Sequence, residues 1–286
     1  WYRSRGLGDV YKRQTYKKLN PKAYALEKRR LQIELLKLQE DVIKKERRIC
    51  IVFEGRDTAG KSSAIKFFSE YLMPKNFKYV ALGIPTKWES SNWFKRWSKV
   101  LPKKGEIAFL DRSWYTRALT EPVMGYCSEN QYLEFMKEVN HWEKKQIGKG
   151  MEIIKFYFSL SQDQQKRRMN ARKKSELKYW KLSKNDEGIA TKWDIFSLYK
   201  EEMFEKTSTN ISPWVSINAN NKMIARLTAL RFLLNKIAYK DKKLLKPARW
   251  SKKIQNYQAS LEGVLFENLT YEQYMLITKY TDDTTQ

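Results

Sequence analysis

Cysteine and histidine are scarce in this chain. Its 286 residues include two cysteines and one histidine. Cys50 and Cys127 are isolated, so they form no disulfide framework and no zinc or redox motif, and reduced, cytoplasmic surroundings are expected. A Ser-His-Asp or Cys-His catalytic set finds no support around His141, which is expected to be a structural or surface residue.

Long apolar runs are missing as well. No stretch approaches the roughly eighteen apolar residues of a transmembrane helix, and the N-terminus lacks the apolar core of a signal peptide. We therefore expect a soluble protein that neither spans a membrane nor is secreted. Residues 1–14 show no initiating Met and no apolar periodicity, and we interpret them as a tag or artefact outside the fold.

Acidic residues are too few to balance the basic ones. The chain has 57 Lys and Arg against 32 Asp and Glu, a formal net charge of +25. Such a charge attracts polyanions at long range, whether nucleic acid, an acidic membrane or an inorganic phosphate polymer. Charge alone does not choose among the three.

The segment GRDTAGKS at residues 55–62 fits the pattern of a phosphate-binding loop. An apolar run, Ile49 to Phe53, leads into it and a helical pattern follows it, which is the context that this motif requires. Glycines let backbone N–H groups turn towards phosphate oxygens, Lys61 reaches the outer phosphates, and Ser62 can ligate a magnesium ion. The sequence therefore predicts a phosphate site here.

Two aspartates predict a metal site beside this loop. Asp57 places a carboxylate inside a loop that holds anions, which is useful mainly for binding a metal or orienting a nucleophilic phosphate. Asp111 ends the apolar run Ile107 to Leu110, at the carboxyl end of a predicted central strand, where a phosphate-loop enzyme needs an acidic residue to hold magnesium directly or through water. Arg112 follows directly and can hold a phosphoryl oxygen or pair with Asp111.

Apolar runs alternate with helical patterns between residues 48 and 240. Strands are predicted at 49–53, 79–83, 106–111, 153–160 and 214–218. This alternation is typical of a mainly parallel sheet covered by helices. We therefore expect an α/β domain with about five strands. An amphipathic helical segment (15–47) precedes it and a C-terminal extension (241–286) follows it.

Basic residues crowd between residues 165 and 184, and aromatic residues between 84 and 101. The basic run, which includes Arg168, Arg172 and Lys181, predicts a lid over phosphates at about 162–190, with a solvated basic helix as the alternative. Trp93 and Trp97 stand four residues apart, and they can either sandwich a nucleobase or face the core.

Several separate segments resemble the family-2 polyphosphate kinases. They are GRDTAGKS (55–62), LDRSWYTR (110–117), EPVMGYC (121–127) and EEMFEKT (201–207), with a spaced lid set that includes Arg168, Arg172, Trp180, Lys181 and Asp186. The resemblance implies a thymidylate-kinase-like α/β fold of the P-loop kinase class. It also implies reversible, magnesium-dependent phosphoryl transfer between inorganic polyphosphate and nucleoside di- or triphosphates, with manganese as the alternative metal.

The resemblance also implies roles for individual residues. The catalytic set is Asp57, Lys61, Asp111, Arg112 and Arg172, with the two aspartates as metal ligands. Together with the chemistry of the loop, it implies phosphate or nucleotide binding by Gly55, Arg56, Thr58, Ala59, Gly60, Ser62, Ser63, Thr116, Arg117 and Arg168. Thr116 and Tyr179 depart from the pattern of the diphosphate-phosphorylating subgroup, which commonly has Asn and Arg there. Relatives form dimers or tetramers, so a homo-oligomer is expected.

The sequence thus predicts an enzyme that transfers phosphoryl groups from polyphosphate to ADP or GDP, or back. A groove formed by Lys75, Lys78 and Lys181 is expected to guide the polyphosphate. One alternative is an ATP-dependent nucleoside monophosphate kinase. The other is a non-enzymatic nucleic-acid-binding protein, for which the chain shows no recognised motif.

Overall fold

A seven-stranded sheet forms the centre of the structure, a computed structural model that describes residues 20–177, 179, 188, 191–243, 245 and 257–283. The strands are β1 (Arg48–Gly55), β2 (Phe77–Val80), β3 (Glu106–Asp111), β4 (Met151–Ser159), β5 (Trp214–Asn218), β6 (Tyr257–Leu261) and β7 (Val264–Leu269). Their order across the sheet is β2, β3, β1, β4, β5, β7, β6. All neighbours run parallel except β6 and β7.

The expected α/β fold with a mainly parallel sheet is confirmed, but the predicted count of five strands was too low. The segment after residue 240 supplies β6 and β7, and β7 pairs in parallel with β5. Strand β6 forms one edge of the sheet, and none of its residues is fully buried. Its sequence, YQASL, is therefore too polar to stand out as an apolar run.

Helices precede, connect and follow the strands. They are α1 (Pro21–Lys44), α2 (Lys61–Ser69), α3 (Lys87–Ser91), α4 (Trp93–Ser98), α5 (Thr120–Met124), α6 (Glu129–Gly148), α7 (Gln162–Lys173), α8 (Trp193–Thr207), α9 (Lys222–Lys236) and α10 (Tyr271–Asp283). Short 3₁₀ turns occupy Pro74–Asn76 and Trp114–Arg117. None of the described helices is long and apolar enough to cross a membrane.

Alternating side chains of β1 separate the core into two layers. Ile51 and Phe53 belong to one buried cluster, which includes residues of α1, α2 and α9. Cys50 and Val52 belong to the other, which includes residues of α4, α6 and α8. Because successive side chains of a strand point to opposite faces, a strand buried on both sides must be apolar throughout. The apolar run that leads into the phosphate loop therefore places β1 at the centre of the sheet.

Helix α1 packs on this core, as its apolar periodicity predicts. Leu31, Leu35, Leu38 and Val42 are fully buried against the first layer. The helix begins after Asn20, whose side-chain oxygen accepts hydrogen bonds from the backbone N–H groups of the first turn. Its burial anchors the chain that enters β1.

Candidate active site

The phosphate loop joins the end of β1 to the first turn of α2, in the context predicted from the sequence. Gly55 has φ 132° and Gly60 has φ 110°, conformations that favour glycine. A Cβ atom on Gly55 would lie 2.4 Å from the backbone oxygen of Phe158 in the neighbouring strand β4. Thr58 also has a positive φ, 64°. These conformations turn the chain sharply between the strand and the helix.

Lys61 folds back over the loop. Its side chain is 7% exposed, and its Nζ atom donates hydrogen bonds to the carbonyl oxygens of Gly55 (2.7 Å) and Arg56 (3.2 Å). The ammonium group is thus held at the loop, where the first-turn N–H groups of α2 add a partial positive charge.

Asp57 and Arg112 meet across the ends of two adjacent strands. Arg112 Nη2 lies 2.6 Å from Asp57 Oδ1, and Arg112 adopts a positive φ of 68° just after β3. Its backbone N–H donates to the carbonyl oxygen of Phe53, which extends the pairing of β3 with β1. The parallel register therefore brings the loop carboxylate and this guanidinium together, although 54 residues separate them in the sequence.

Asp111 is held by a tyrosine that the sequence alone did not single out. The hydroxyl of Tyr79 in β2 donates to Asp111 Oδ2 (2.8 Å), and the side chain of Ser62 lies close to Tyr79. Burial and the charge of Asp111 raise the pKa of Tyr79 to about 12, so the phenol stays protonated and donates at neutral pH.

Glu54, the residue before the loop, is fully buried. Its Oε1 atom accepts hydrogen bonds from the backbone N–H (2.7 Å) and the hydroxyl (2.8 Å) of Ser113. Burial raises the pKa of the Glu54 carboxyl to about 7, against the opposing effects of Lys61 and these hydrogen bonds. The pair joins the start of the phosphate loop to the turn after β3.

A buried ion pair, Lys155 with Glu143, contacts the turn after β3. Lys155 of β4 is 0% exposed, and its Nζ atom donates to Glu143 Oε2 (3.0 Å), the Tyr115 hydroxyl (2.9 Å) and the Thr207 carbonyl (2.8 Å). Trp114 Nε1 donates to the other oxygen of Glu143. All three donors of the ammonium are used, which is the condition for burying a charge without a large penalty.

The phosphate loop, Asp111 and Arg112 border an open cavity of about 610 Å³ at the carboxyl ends of the strands. Its lining residues are Asp57, Thr58, Gly60, Lys61, Ser62, Ser63, Ala81, Leu82, Asp111, Arg112, Arg168, Ala171, Arg172, Ser175, Lys222 and Arg226. Such crevices bind ligands in open parallel sheets. Six cationic side chains against two carboxylates make the cavity strongly attractive for phosphate chains.

The oxygen donors of the cavity fit a magnesium-like ion. Asp57, Asp111 and the hydroxyl of Ser62 line the same space. Among the described residues, no group of three or more His, Cys, Asp or Glu side chains is placed to hold a metal ion. Magnesium is commonly bound by one or two carboxylates together with substrate phosphates, so a pair of aspartates in a phosphate cavity suits it.

Some predicted site residues lie outside this lining. Arg56 is buried, with its guanidinium 3.5 Å from the ring centre of Trp193 in α8, and it donates to the Trp193 carbonyl (2.8 Å). Arg117 is buried against Glu121, and it donates to the Ser90 carbonyl. Gly55, Ala59 and Thr116 shape the loop and the turn after β3 without lining the cavity. Direct substrate contacts by these residues stay predictions.

Two residues of the predicted polyphosphate groove, Lys75 and Lys78, also do not line the cavity. Lys78 lies in an ion pair with Glu106 (3.0 Å) at the start of β3 and donates to the Leu101 carbonyl. Lys75 lies in the turn before β2, and Lys181 lies outside the described residues. The groove stays a prediction.

Sequence reasoning gave no site role to two cations of the lining, Lys222 and Arg226. Both belong to α9, whose N-terminal end faces the phosphate loop, and Lys222 lies close to Gly60. Their spacing of four residues on a helix that follows a strand was the available signal.

The predicted nucleobase sandwich was wrong for Trp93 and Trp97. Both side chains are at least 93% buried, so the alternative, that they face the core, holds.

Comparisons with known proteins identify one family. A family model for polyphosphate kinase 2 matches residues 18–245. Polyphosphate kinase PPK2B of Corynebacterium glutamicum is 44% identical over 220 residues, covering 77% of this chain and 72% of that protein. A GDP-polyphosphate phosphotransferase of Mycolicibacterium smegmatis is 43% identical over 220 residues, covering 77% of this chain and 78% of that protein.

A solved structure shows the same fold. The crystal structure of a polyphosphate kinase 2 from Pseudomonas aeruginosa superposes with a TM-score of 0.73 at 31% identity, covering 80% of this chain. The chain spans half the length of that solved chain, for which the coverage is 50%. Since the family model spans most of the residues and the relatives agree with it, the chain belongs to the polyphosphate kinase 2 family.

Proposed function

We propose that this enzyme transfers a terminal phosphoryl group between inorganic polyphosphate and a nucleoside diphosphate, reversibly and with magnesium. One observation carries the proposal: a single cavity combines a phosphate loop, two carboxylates and six cationic side chains. Two phosphate anhydrides bring many negative charges together, and such a cavity offsets their repulsion. The names of the relatives, which include a GDP-polyphosphate phosphotransferase, support the same reaction.

In the proposed reaction, Lys61 and the loop amides hold one phosphate chain. Arg112 and Arg172 lie at the cavity wall, where they stabilise the charge that spreads over the transferred group. Asp57 and Asp111 would hold a divalent metal ion, which supplies charge neutralisation when bound. Positioning and electrostatics account for phosphoryl transfer without a covalent intermediate on the protein.

The decisive test measures nucleotide products directly. Purified protein, magnesium and long-chain polyphosphate are combined with ADP, GDP or AMP, and the nucleotides are separated after incubation. We expect ATP or GTP from the diphosphates. No turnover with polyphosphate as the only donor, combined with turnover of ATP and AMP, would instead support a nucleoside monophosphate kinase.

The substitution Asp111→Asn in a folded protein should nearly abolish the reaction, because it removes the metal-binding charge.

Two routes for polyphosphate can be distinguished by substitution. Lys222 and Arg226 line the cavity, whereas Lys78 of the sequence-predicted groove is paired with Glu106. Neutralising Lys222 or Arg226 should raise the KM for polyphosphate and reduce its salt dependence. The matched substitution Lys78→Met shows whether the predicted groove contributes.

A homo-oligomer and a cytoplasmic location stay predictions, as do the limits of the domains.

A further inference from the structure

Helix α7 is attached to the phosphate loop through side-chain donors. Gln165 Nε2 donates to the carbonyl oxygen of Asp57 (3.2 Å). Arg168 Nη1 donates to the carbonyl oxygens of Thr58 (3.1 Å) and Ala59 (3.3 Å). Three consecutive carbonyls of the loop are therefore bound by two residues, three positions apart on one helix face.

The same guanidinium reaches a second loop. Arg168 Nη2 donates to the carbonyl oxygens of Ala219 (2.7 Å) and Asn220 (2.9 Å), which follow β5 and precede α9. Burial and the nearby Arg226 lower the pKa of Arg168 to about 10, so the group stays charged at neutral pH. One planar fork thus holds the phosphate loop at a fixed distance from the helix that carries Lys222 and Arg226.

Binding these carbonyls also sets the direction of the loop amides. A trans peptide unit holds its C=O and N–H on opposite sides. Donors on the carbonyls of Asp57, Thr58 and Ala59 therefore orient the N–H groups of Thr58, Ala59 and Gly60. The N–H of Ala59 donates to the Arg56 carbonyl (3.2 Å) and closes the turn. Loops that bind phosphate depend on such orientation of successive peptides.

We propose that Gln165 and Arg168 are positioning residues that hold the phosphate-loop peptides in their phosphate-binding orientation, and that Arg168 acts through the loop rather than on the substrate. We call this pair the α7 clamp. It replaces the direct phosphate contact that the sequence suggested for Arg168. Its kinetic consequences rest on the proposed function, whereas its effect on the loop does not.

The first experiment needs no substrate. Backbone hydrogen exchange at residues 57–60 is measured in the unmodified protein and in the variants Arg168→Met and Gln165→Met. We expect exchange of the Ala59 amide to become faster by about tenfold or more in both. Arg167→Met is the matched control, because Arg167 is an exposed neighbour on the same helix and its loss removes the same charge. Its exchange should equal that of the unmodified protein.

Unchanged exchange in both clamp variants would overturn the proposal. Gln165→Met removes one hydrogen bond and no charge from a buried position, so it provides the test if Arg168→Met does not fold. Absence of phosphoryl transfer by the unmodified protein would contradict the proposed function, while the exchange result would still decide on the clamp.

Kinetics then separate positioning from substrate binding. For Arg168→Met we expect kcat to fall about 100-fold, since small misplacements of catalytic groups have effects of this size. The KM for polyphosphate and its dependence on salt should stay close to those of the unmodified protein. Direct phosphate binding predicts instead a raised KM and a log–log salt slope smaller by about one, which would overturn the proposal.

The conservative variant provides a further check. Arg168→Lys keeps the charge, but an ammonium with three donors cannot reproduce a planar fork on four carbonyls. We therefore expect it to restore little of the lost kcat. Full restoration by lysine would show that the charge alone matters and would also overturn the proposal.

Discussion

The hydroxyl of Tyr79 donates a 2.8 Å hydrogen bond to the Asp111 carboxylate. Tyr79 belongs to β2, at the edge of the sheet, and Asp111 ends β3, the strand next to it. The side chain of Ser62, from the first turn of α2, lies close to the same tyrosine. A residue of an edge strand thus orients the carboxylate that is expected to bind the metal.

Replacing Tyr79 by phenylalanine should weaken metal binding. A hydrogen bond to a charged group contributes about 1.5–3 kcal/mol, and the half-exposed position of Tyr79 favours the lower end. We expect kcat/KM at limiting magnesium to fall about tenfold, with a higher magnesium concentration needed for half-maximal rate. A magnesium titration of the initial rate measures this. Tyr71→Phe, in the turn after α2, is the control, and identical titrations for both variants would contradict the role.

Glu54 should make stability depend on pH. Its carboxyl has a pKa raised to about 7 by burial, above the 4.5 of an exposed glutamate, so the folded state binds the proton more tightly. The stabilisation is complete below about pH 4.5 and is lost as the pH rises through 7. Relative to Glu54→Gln, the protein should lose about 3 kcal/mol of unfolding free energy over this range. Urea unfolding of the unmodified protein and of Glu54→Gln at several pH values tests this. The same pH dependence of the unfolding free energy in both would refute it.

The ion pair of Lys155 with Glu143 should be essential for folding stability. Lys155→Met leaves a buried carboxylate without its cation, which costs about 3–5 kcal/mol. The double variant Lys155→Met/Glu143→Gln should recover part of this loss, because it removes the unpaired charge. Urea unfolding gives both values. The exposed pair of Lys206 and Glu202 is the control, and Lys206→Met should cost less than about 1 kcal/mol. Equal costs for the two lysines would contradict the prediction.

The conformation of the phosphate loop depends on Gly55. In Gly55→Ala the new Cβ would meet the Phe158 backbone oxygen at 2.4 Å, in a conformation with φ 132°. Neither β1 nor β4 can shift without breaking the sheet, so we expect a loss of at least about 2 kcal/mol of stability and of most activity. Gly148→Ala, at the end of α6, meets no atom within 4 Å and should be neutral or stabilising. Thermal unfolding of both variants provides the comparison, and a stable, active Gly55→Ala would refute the prediction.

Much of the fold follows from local patterns. Strands β3 and β5 begin and end where their apolar runs do, because buried parallel strands must be apolar on both faces. Strand β2 was predicted at 79–83 but lies at Phe77–Val80, since Ala81 and Leu82 leave the sheet and line the cavity. Helices α3 and α4 are separated at Asn92, whose backbone is not helical.

The candidate site was predictable where its residues are neighbours in the sequence. Asp57, Lys61 and Ser62 share one loop, and Asp111 was found because a polar residue ended an apolar strand. Lys222 and Arg226 were missed because their part in the cavity depends on where α9 packs.

The sequence by itself determined the α/β class, the phosphate loop and the family, because hydrophobic periodicity and contiguous motifs are local properties. Only the tertiary structure decided which charges meet. It placed Arg112 on Asp57, Tyr79 on Asp111, and Arg168 on the carbonyls of the phosphate loop. The physical reason is that these pairings depend on strand register and helix packing, which join residues far apart in the chain.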